Sequence, residues 1–333
     1  RDFSPKLRNS HTNDQYVVWI MFLTYRLNRI IRLNRRKGRT TMARTNPDTS
    51  HPNRSSSLDG KKVALVTGAT SGIGRSAALK LLKKGFVVYG AARREDRLRE
   101  LARDGVRTLR MDVTDEDSMS DGINTIIDDA GHIDVLINCA GYGVVGAIED
   151  VDPEDARRQF EVNVFGPMAL VRLVAPHMRE QGEGRIVNVS SIAGKVPALL
   201  GGWYHGSKFA LEGLSDCLRL ELEPWGIDVS VVEPGPVKTE WPHIAQESME
   251  ETSEGGAYAE MAHAVAESVE FNHRPGMVSR PGTVARVVVK AATTERPRTR
   301  YAVGPLAKLT VLSRRLLPNR AVDFFIRKSY KLG

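Results

Sequence analysis

Cysteine is scarce in this chain, and the scarcity is informative. Among 333 residues there are two, Cys139 and Cys217. They lie far apart, match no metal-ligand or redox spacing, and give no reason to expect an oxidising compartment. Both read as buried small hydrophobes, Cys139 at a strand end and Cys217 on a helix. No metal site is expected. Long hydrophobic runs are missing as well. The apolar run from Tyr16 to Tyr25 is far shorter than the roughly 20 residues a membrane-spanning helix takes. No small-residue cleavage pattern comes after it, which argues against a secretory signal. There is no internal repeat beyond an alternation of strand-like and helical segments.

An excess of charge is also missing from the body of the chain, despite a formal net charge of +8. Residues 1–58 hold 12 Lys/Arg against 3 Asp/Glu, whereas residues 59–333 hold 36 against 37. The basic pI therefore belongs to a leader, and nucleic-acid binding by the fold is not expected. Residues 1–58 read as a basic, disordered leader, or as translated upstream sequence with initiation at Met42. Within it, Arg26 to Arg39 is a basic stretch that suits anionic lipid or nucleic acid. His51 to Ser57, rich in Pro, Asn and Ser, reads as a linker.

The remainder has the pattern of an α/β domain. Apolar, strand-like runs fall at Val63–Thr67, Phe86–Ala91, Arg107–Met111, Val135–Asn138, Arg185–Ser190, Asp228–Val232 and Arg300–Val303. Helical periodicity lies between them, as in Leu211, Leu214, Leu218 and Leu222, which step by three, four and four along one apolar face. The alternation predicts a single doubly wound (Rossmann-type) parallel sheet with helices on both faces, over about residues 59–304.

Two stretches carry chemistry. The first strand runs into Thr67-Gly68-Ala69-Thr70-Ser71-Gly72-Ile73-Gly74. Glycines let backbone approach a pyrophosphate whose charge a helix N-terminus favours, although the same loop also serves as a plain tight turn. The second is Tyr204-His205-Gly206-Ser207-Lys208, with Ser191 thirteen positions upstream. On a helix Tyr204 and Lys208 share a face. A phenol has an unperturbed pKa of about 10, and a neighbouring ammonium favours the phenolate and lowers it.

These motifs, together with Asn138-Cys139-Ala140-Gly141, resemble the short-chain dehydrogenase/reductase family in order and interval, over about residues 60–304. The text from Trp203 to Asp216 resembles the branch near 17β-hydroxysteroid and retinol dehydrogenases. The resemblance implies an oxidoreductase that moves a hydride between a nicotinamide and a hydrophobic secondary alcohol, ketone or aldehyde. It implies a catalytic group of Tyr204, Lys208, Ser191 and Asn163. Tyr204 would be the general acid in reduction and the base in oxidation. Lys208 would lower its pKa and hold the nicotinamide ribose, Ser191 would position the carbonyl oxygen, and Asn163 would order a water leading to Lys208. Ser190 competes with Ser191, and Asn163 alternatively distorts a helix.

Cofactor contacts implied by the resemblance are Gly68, Ser71, Gly72, Ile73, Gly74, Arg93, Asp112, Val113, Asn138, Ala140, Gly141, Tyr204, Lys208, Pro234, Gly235, Val237 and Thr239. Where NAD-binding members carry an acid at the end of the second strand, this chain has Ala92 followed by Arg93. That exchange suits a 2′-phosphate and argues for NADP(H); otherwise the arginines face solvent. Asp112 alternatively caps the following helix, and Pro234-Gly235-Pro236 is alternatively a strand terminator.

Trp241 to Arg280 sits where the family carries a substrate lid. Its Trp241, Met249, Tyr258, Met261 and Phe271 either line an apolar pocket or pack the insert onto the body. Leu306 to Leu332 predicts amphipathic helices broken at Pro318 and docked on the body, with membrane contact the less favoured reading. A cytoplasmic homo-oligomer, paired through Phe165–Arg179 and Phe209–Leu222, is the family analogy. The competing readings are a non-catalytic NADP(H)-binding regulator and a membrane-associated retinoid or lipid dehydrogenase.

Overall fold

A computed structural model describes residues 60–239, 249, 252–253, 256–272, 276–305 and 307–330. The leader, its methionines and its linker lie outside the described residues, as does Trp241. The described residues all belong to one compact unit, Asn53–Gly333.

Among the described residues, seven strands form one parallel sheet: β1 (Val63–Thr67), β2 (Val87–Ala92), β3 (Arg107–Arg110), β4 (Val135–Asn138), β5 (Gly184–Val189), β6 (Ile227–Pro234) and β7 (Arg300–Val303). Their order is β3-β2-β1-β4-β5-β6-β7. The helices between them are α1 (Gly72–Leu82), α2 (Glu95–Arg103), α3 (Glu116–Ala130), α4 (Pro153–Phe160), α5 (Gly166–Gln181) and α6 (Gly202–Leu222). After β6 come α7 (Ala259–Asn272) and α8 (Pro281–Thr293), and after β7 come α9 (Ala307–Leu316) and α10 (Asn319–Ser329).

The central strands β1 and β4 read as continuous apolar runs because both faces are covered. All five residues of β1 are buried, and they alternate between two cores. Val63 and Leu65 pack with Ile123 and Ile126 of α3 and with Leu170 and Val174 of α5. Ala64 and Val66 pack with Ala77, Ala78 and Leu81 of α1 and with Val284 and Val288 of α8. The chain winds outward in one direction from β1 to β3 and in the other from β4 to β7. The carboxyl ends of β1 and β4 therefore flank the reversal, where open α/β sheets place their ligands.

Three strands have the predicted bounds, and the ends of the others move by one or two residues. The α6 stripe is narrower than its spacing suggests. Leu211 and Leu222 are buried and Leu218 packs against the core, but Leu214 is exposed. At about 100° per residue, Leu211, Leu218 and Leu222 fall within about 40° of one another, while Leu214 lies about 60° from Leu211. Cys217 lies about 120° round and is exposed rather than buried, while Cys139 is partly buried.

Asp112 does not cap α3. Asp115 does, accepting from Asp117 N and Ser118 N, while Asp112 Oδ1 accepts from Thr114 N and Thr114 Oγ1 within its own turn. The tail forms two helices broken at Pro318, which precedes α10. Its expected docking is mostly absent: Ala307 and Val322 are buried, but Leu309, Leu312, Leu316, Phe324 and Phe325 are exposed.

Candidate active site

The glycine loop is shaped by close backbone approach. Gly68 has φ +63°, and a Cβ there would meet Ala140 Cα and N at 3.0 Å. At Gly74 a Cβ would meet Gly68 O at 2.3 Å, so the first turn of α1 lies against the loop. Gly72 has φ +50°, and its nearest side-chain neighbour is Thr239. Ser71 precedes α1 without a side-chain cap, and no acid occupies the first turn. Those first amides therefore present positive partial charge suited to an anion. Ile73 packs on the α1–α8 core.

Thr67, at the end of β1, sews this loop to the next, a role that no spacing announces. Its Oγ1 accepts from Cys139 N and Ala140 N, both at 3.0 Å. Below them Asn138 Nδ2 donates to Asn188 Oδ1 (2.9 Å), and Asn188 Nδ2 donates to Ser215 Oγ (2.8 Å). This buried ladder fixes β4, β5 and α6 against one another. Asn188 carries no family motif, and no spacing marks Ser215 as its partner.

Arg93 follows the end of β2, and its Nη1 lies 3.8 Å from Asp112 Oδ2 beyond β3. Both side chains are accessible. Val113 is buried against the start of α5, where a Cβ on Gly166 would meet Val113 O at 2.4 Å. Beyond β6, Gly235 N donates to Val303 O (2.8 Å) and Val237 bridges to Ser279. The turn from Pro234 to Thr239 thus returns over the glycine loop.

Ser191, Tyr204 and Lys208 meet between β5 and α6. Ser191 caps a short 3-10 turn, Ile192–Gly194, accepting from Ala193 N at 3.1 Å. It lies near enough to the Tyr204 hydroxyl to lower the phenol's pKa against burial, and its Oγ donates to Pro234 O at 3.5 Å. Ser190 Oγ is buried and has no partner among the described residues, so Ser191 is the serine that faces the phenol. Lys208 Nζ lies 5.8 Å from the Tyr204 ring centroid and donates to Val189 O at 3.3 Å.

Burial dominates the electrostatics. It pushes the Tyr204 phenol up to about 12, opposed by Ser191. The expected lowering by Lys208 is not what the geometry produces: its ammonium sits by the ring and is itself desolvated. Burial lowers Lys208 to about 8, opposed by Cys139 and Glu212. The Cys139 thiol is pushed up to about 12 by burial, with Lys208 opposing.

These shifts make a stability prediction. Lys208 has a folded pKa below its unfolded one, so its charge destabilises the fold at low pH. That cost is relieved as pH rises from about 8 towards 10.5. Cys139, raised from 9.0, acts in the opposite sense above pH 9. Between pH 8 and 9, urea unfolding should show stability rising by about 1 kcal/mol. Lys208→Met should remove the rise, and a flat wild-type profile would contradict the assignment.

Asn163 lies in a π-helical turn, Glu161–Phe165, between α4 and α5. Its Oδ1 accepts from Tyr142 N (2.9 Å), and its Nδ2 donates to Tyr142 O (2.8 Å) and Ser207 Oγ (3.0 Å). These bonds hold the segment after Gly141 against α6 and run to Tyr142 and Ser207 rather than to Lys208.

Behind Lys208, one helical turn on, sits a charge cluster assembled from distant positions. Glu212 and Glu233 are 3% and 1% exposed, a burial that needs compensation. Lys195 Nζ lies 2.6 Å from Glu212 Oε2 and 3.5 Å from Glu233 Oε1. Arg300 Nε lies 3.0 Å from Glu212 Oε2 and 3.2 Å from Glu233 Oε1. Its two terminal nitrogens grip Asp216 at 2.7 and 2.8 Å.

A separate apolar cluster joins the insert to the body. Met249, Ala262 and Val265 of the insert pack with Val145, Ala147 and Leu200, joined by Leu199, Tyr258, Met261 and, from the end of α10, Tyr330. The described apolar residues of the insert thus pack onto the loops after β4 and β5. The Phe271 side chain lies outside the described residues. A surface depression of about 440 Å³, lined by Lys80, Lys83, Lys84, Arg286 and Lys290, opens at the opposite, amino-terminal end of the sheet, away from this chemistry.

Comparison with known proteins agrees with this geometry. The family model for short chain dehydrogenase matches residues 62–250. A 3-ketodihydrosphingosine reductase from Bacteroides thetaiotaomicron is 34% identical over 81% of this chain and 98% of its own length. Among solved structures, a short-chain dehydrogenase from Streptomyces avermitilis has a TM-score of 0.67 and 31% identity, covering 83% of this chain and 98% of that one. A metagenomic short-chain oxidoreductase in complex with NADP has a TM-score of 0.57 and 27% identity, covering 73% and 97%. With the family model matched over more than half its length and such relatives over most of it, the chain belongs to the short-chain dehydrogenase family of oxidoreductases.

Proposed function

We propose that the protein is an NADP(H)-dependent oxidoreductase that interconverts a hydrophobic secondary alcohol and its ketone, with Tyr204 as the general acid and base. The observation that carries this reading is the buried Tyr204 phenol with Ser191 beside it and Lys208 one helical turn on, its Nζ 5.8 Å from the phenol ring centroid. NADPH, when bound, supplies the hydride. The glycine cradle suits its pyrophosphate, because a side chain at Gly74 would strike Gly68 O and the first amides of α1 favour anions.

The remaining work belongs to the chain's own residues. Ser191 and Tyr204 donate to a carbonyl oxygen placed between them, and this stabilises the charge that grows there. A phenol held near 12 stays protonated at neutral pH and is ready to give its proton to the developing alkoxide. Lys208, whose Nζ lies 5.8 Å from the ring centroid, is the residue this reading assigns to the nicotinamide ribose. Asn163 acts as a positioning residue through Tyr142 and Ser207. Turnover of NADPH against a panel of long-chain ketones, steroids and retinal tests the reading; no turnover despite tight NADPH binding would favour the regulator.

Arg93 supports the choice of NADPH over NADH, since it reaches across the ends of β2 and β3 without an acid at Ala92. Arg93→Ala should weaken NADPH binding about ten- to a hundredfold, the value of a charge-assisted hydrogen bond. NADH binding should change little. Equal losses for both cofactors, measured by fluorescence titration, would remove Arg93 from the 2′-phosphate.

A hydrophobic substrate is supported by one relative, whose name specifies a sphingoid ketone. The steroid and retinoid branch rests on the text around Tyr204 alone. A homo-oligomer is supported by Phe165 and Phe209, which are exposed on the π-turn and α6; a monomer by light scattering would contradict it. A cytoplasmic site of action fits two free cysteines, and cell fractionation tests it. Among the described residues no helix is long and apolar enough to cross a membrane.

A further inference from the structure

We propose that α9 and α10 form an interfacial docking surface for an anionic lipid bilayer, beside the substrate lid. The sequence pattern led us to expect these helices to be buried on the body, and the structure points elsewhere. Leu309, Leu312 and Leu316 stand at i, i+3 and i+7 on α9, and they are 61%, 51% and 72% exposed. Phe324 and Phe325 add two exposed rings on α10, whose Val322 is the residue turned inward. Five large apolar side chains thus face water within about twenty residues, which is unusual for isolated surface positions.

Charge selects the occupant. Residues 307–330 carry Lys308, Arg314, Arg315, Arg320, Arg327 and Lys328 against one acid, Asp323. A second copy docked face to face would bring two strongly basic surfaces together. The leader is equally unsuited, with 12 Lys/Arg against 3 Asp/Glu over residues 1–58. Anionic headgroups complement both the bases and the apolar stripe, which is the pattern of a helix lying in the interface plane. Neither helix can span: α9 has 10 residues and α10 has 11, and Pro318 separates them.

The location gives the surface a use. Tyr330, at the end of α10, packs in the same cluster as Met249, Met261, Leu199 and Leu200. Docking through the tail would hold the lid near the bilayer, where a lipid-like ketone resides. That use rests on the proposed function; the docking itself does not.

Full-length protein is mixed with vesicles of phosphatidylcholine alone or with phosphatidylglycerol, and bound protein is separated by flotation, without substrate or cofactor. The expected result is binding to the anionic vesicles that weakens with salt and falls at least tenfold in Leu312→Asp/Leu316→Asp/Phe324→Asp. NADPH-dependent turnover of a water-soluble ketone, and the circular-dichroism spectrum, should be unchanged in that variant. No binding by the wild type would overturn the proposal. So would equal binding by the variant, which would assign the affinity to the leader. Dissociation of a dimer in the variant would give the stripe to a second copy and overturn it as well. Failure of the proposed chemistry would appear instead as absent turnover with flotation intact.

Discussion

Tyr204→Phe should lower kcat by about 10²–10⁴-fold, the range expected for loss of a positioned general acid. NADPH affinity should stay close to wild type. The ring still fills its place beside Lys208 and His205, and only the hydroxyl that meets Ser191 is removed. KM should change less than kcat, because the lost proton transfer matters in the transition state. The pH profile adds a signature. Proton donation depends on a phenol held near 12, so ketone reduction should persist at mildly alkaline pH. Residual activity in Tyr204→Phe should be low and insensitive to that ionisation. Near-normal turnover by the variant would remove Tyr204 from the chemistry.

Arg300→Met should be the most destabilising single change away from the reacting groups, by about 3–5 kcal/mol, as when one partner of a buried ion pair is removed. Without the guanidinium, Glu212 and Glu233 share Lys195 alone, and Asp216 loses its bidentate partner. Glu233 already sits above the ordinary carboxylate range, first through burial and then through Glu212. Losing Arg300 raises it further. A group whose folded pKa is raised stabilises the fold below its unfolded pKa and loses that contribution as pH rises through the folded value. The deficit should therefore shrink as pH falls towards 5. Urea unfolding midpoints at pH 7.5 and 5 check this; a loss below about 1 kcal/mol, or one that grows in acid, would contradict the network.

The same network shows where sequence reading stops. Lys195, Glu233 and Arg300 belong to no motif, and they meet Glu212 and Asp216 because β5, β6, β7 and α6 converge. Asn188 escaped notice for the same reason. What was legible was local. A strand buried on both faces must be apolar throughout, so β1 and β4 kept their bounds. A loop that backbone crosses closely needs glycine, so Gly68 and Gly74 stood out. Angle and depth are not legible in spacing. Leu214 and Cys217 sit off the apolar stripe of α6 by rotations that a list of spacings hides. The spacing of Tyr204 and Lys208 carries no desolvation, and desolvation is the larger effect on both groups. The tail had the composition of a docked helix, and its leucines proved to face outward.

The most direct measurement is the steady-state oxidation of NADPH and of NADH by the full-length protein, with a long-chain ketone and with Tyr204→Phe as control. The account predicts turnover that prefers NADPH and is lost in the variant. Turnover that survives in Tyr204→Phe, or failure to bind either cofactor, would contradict it.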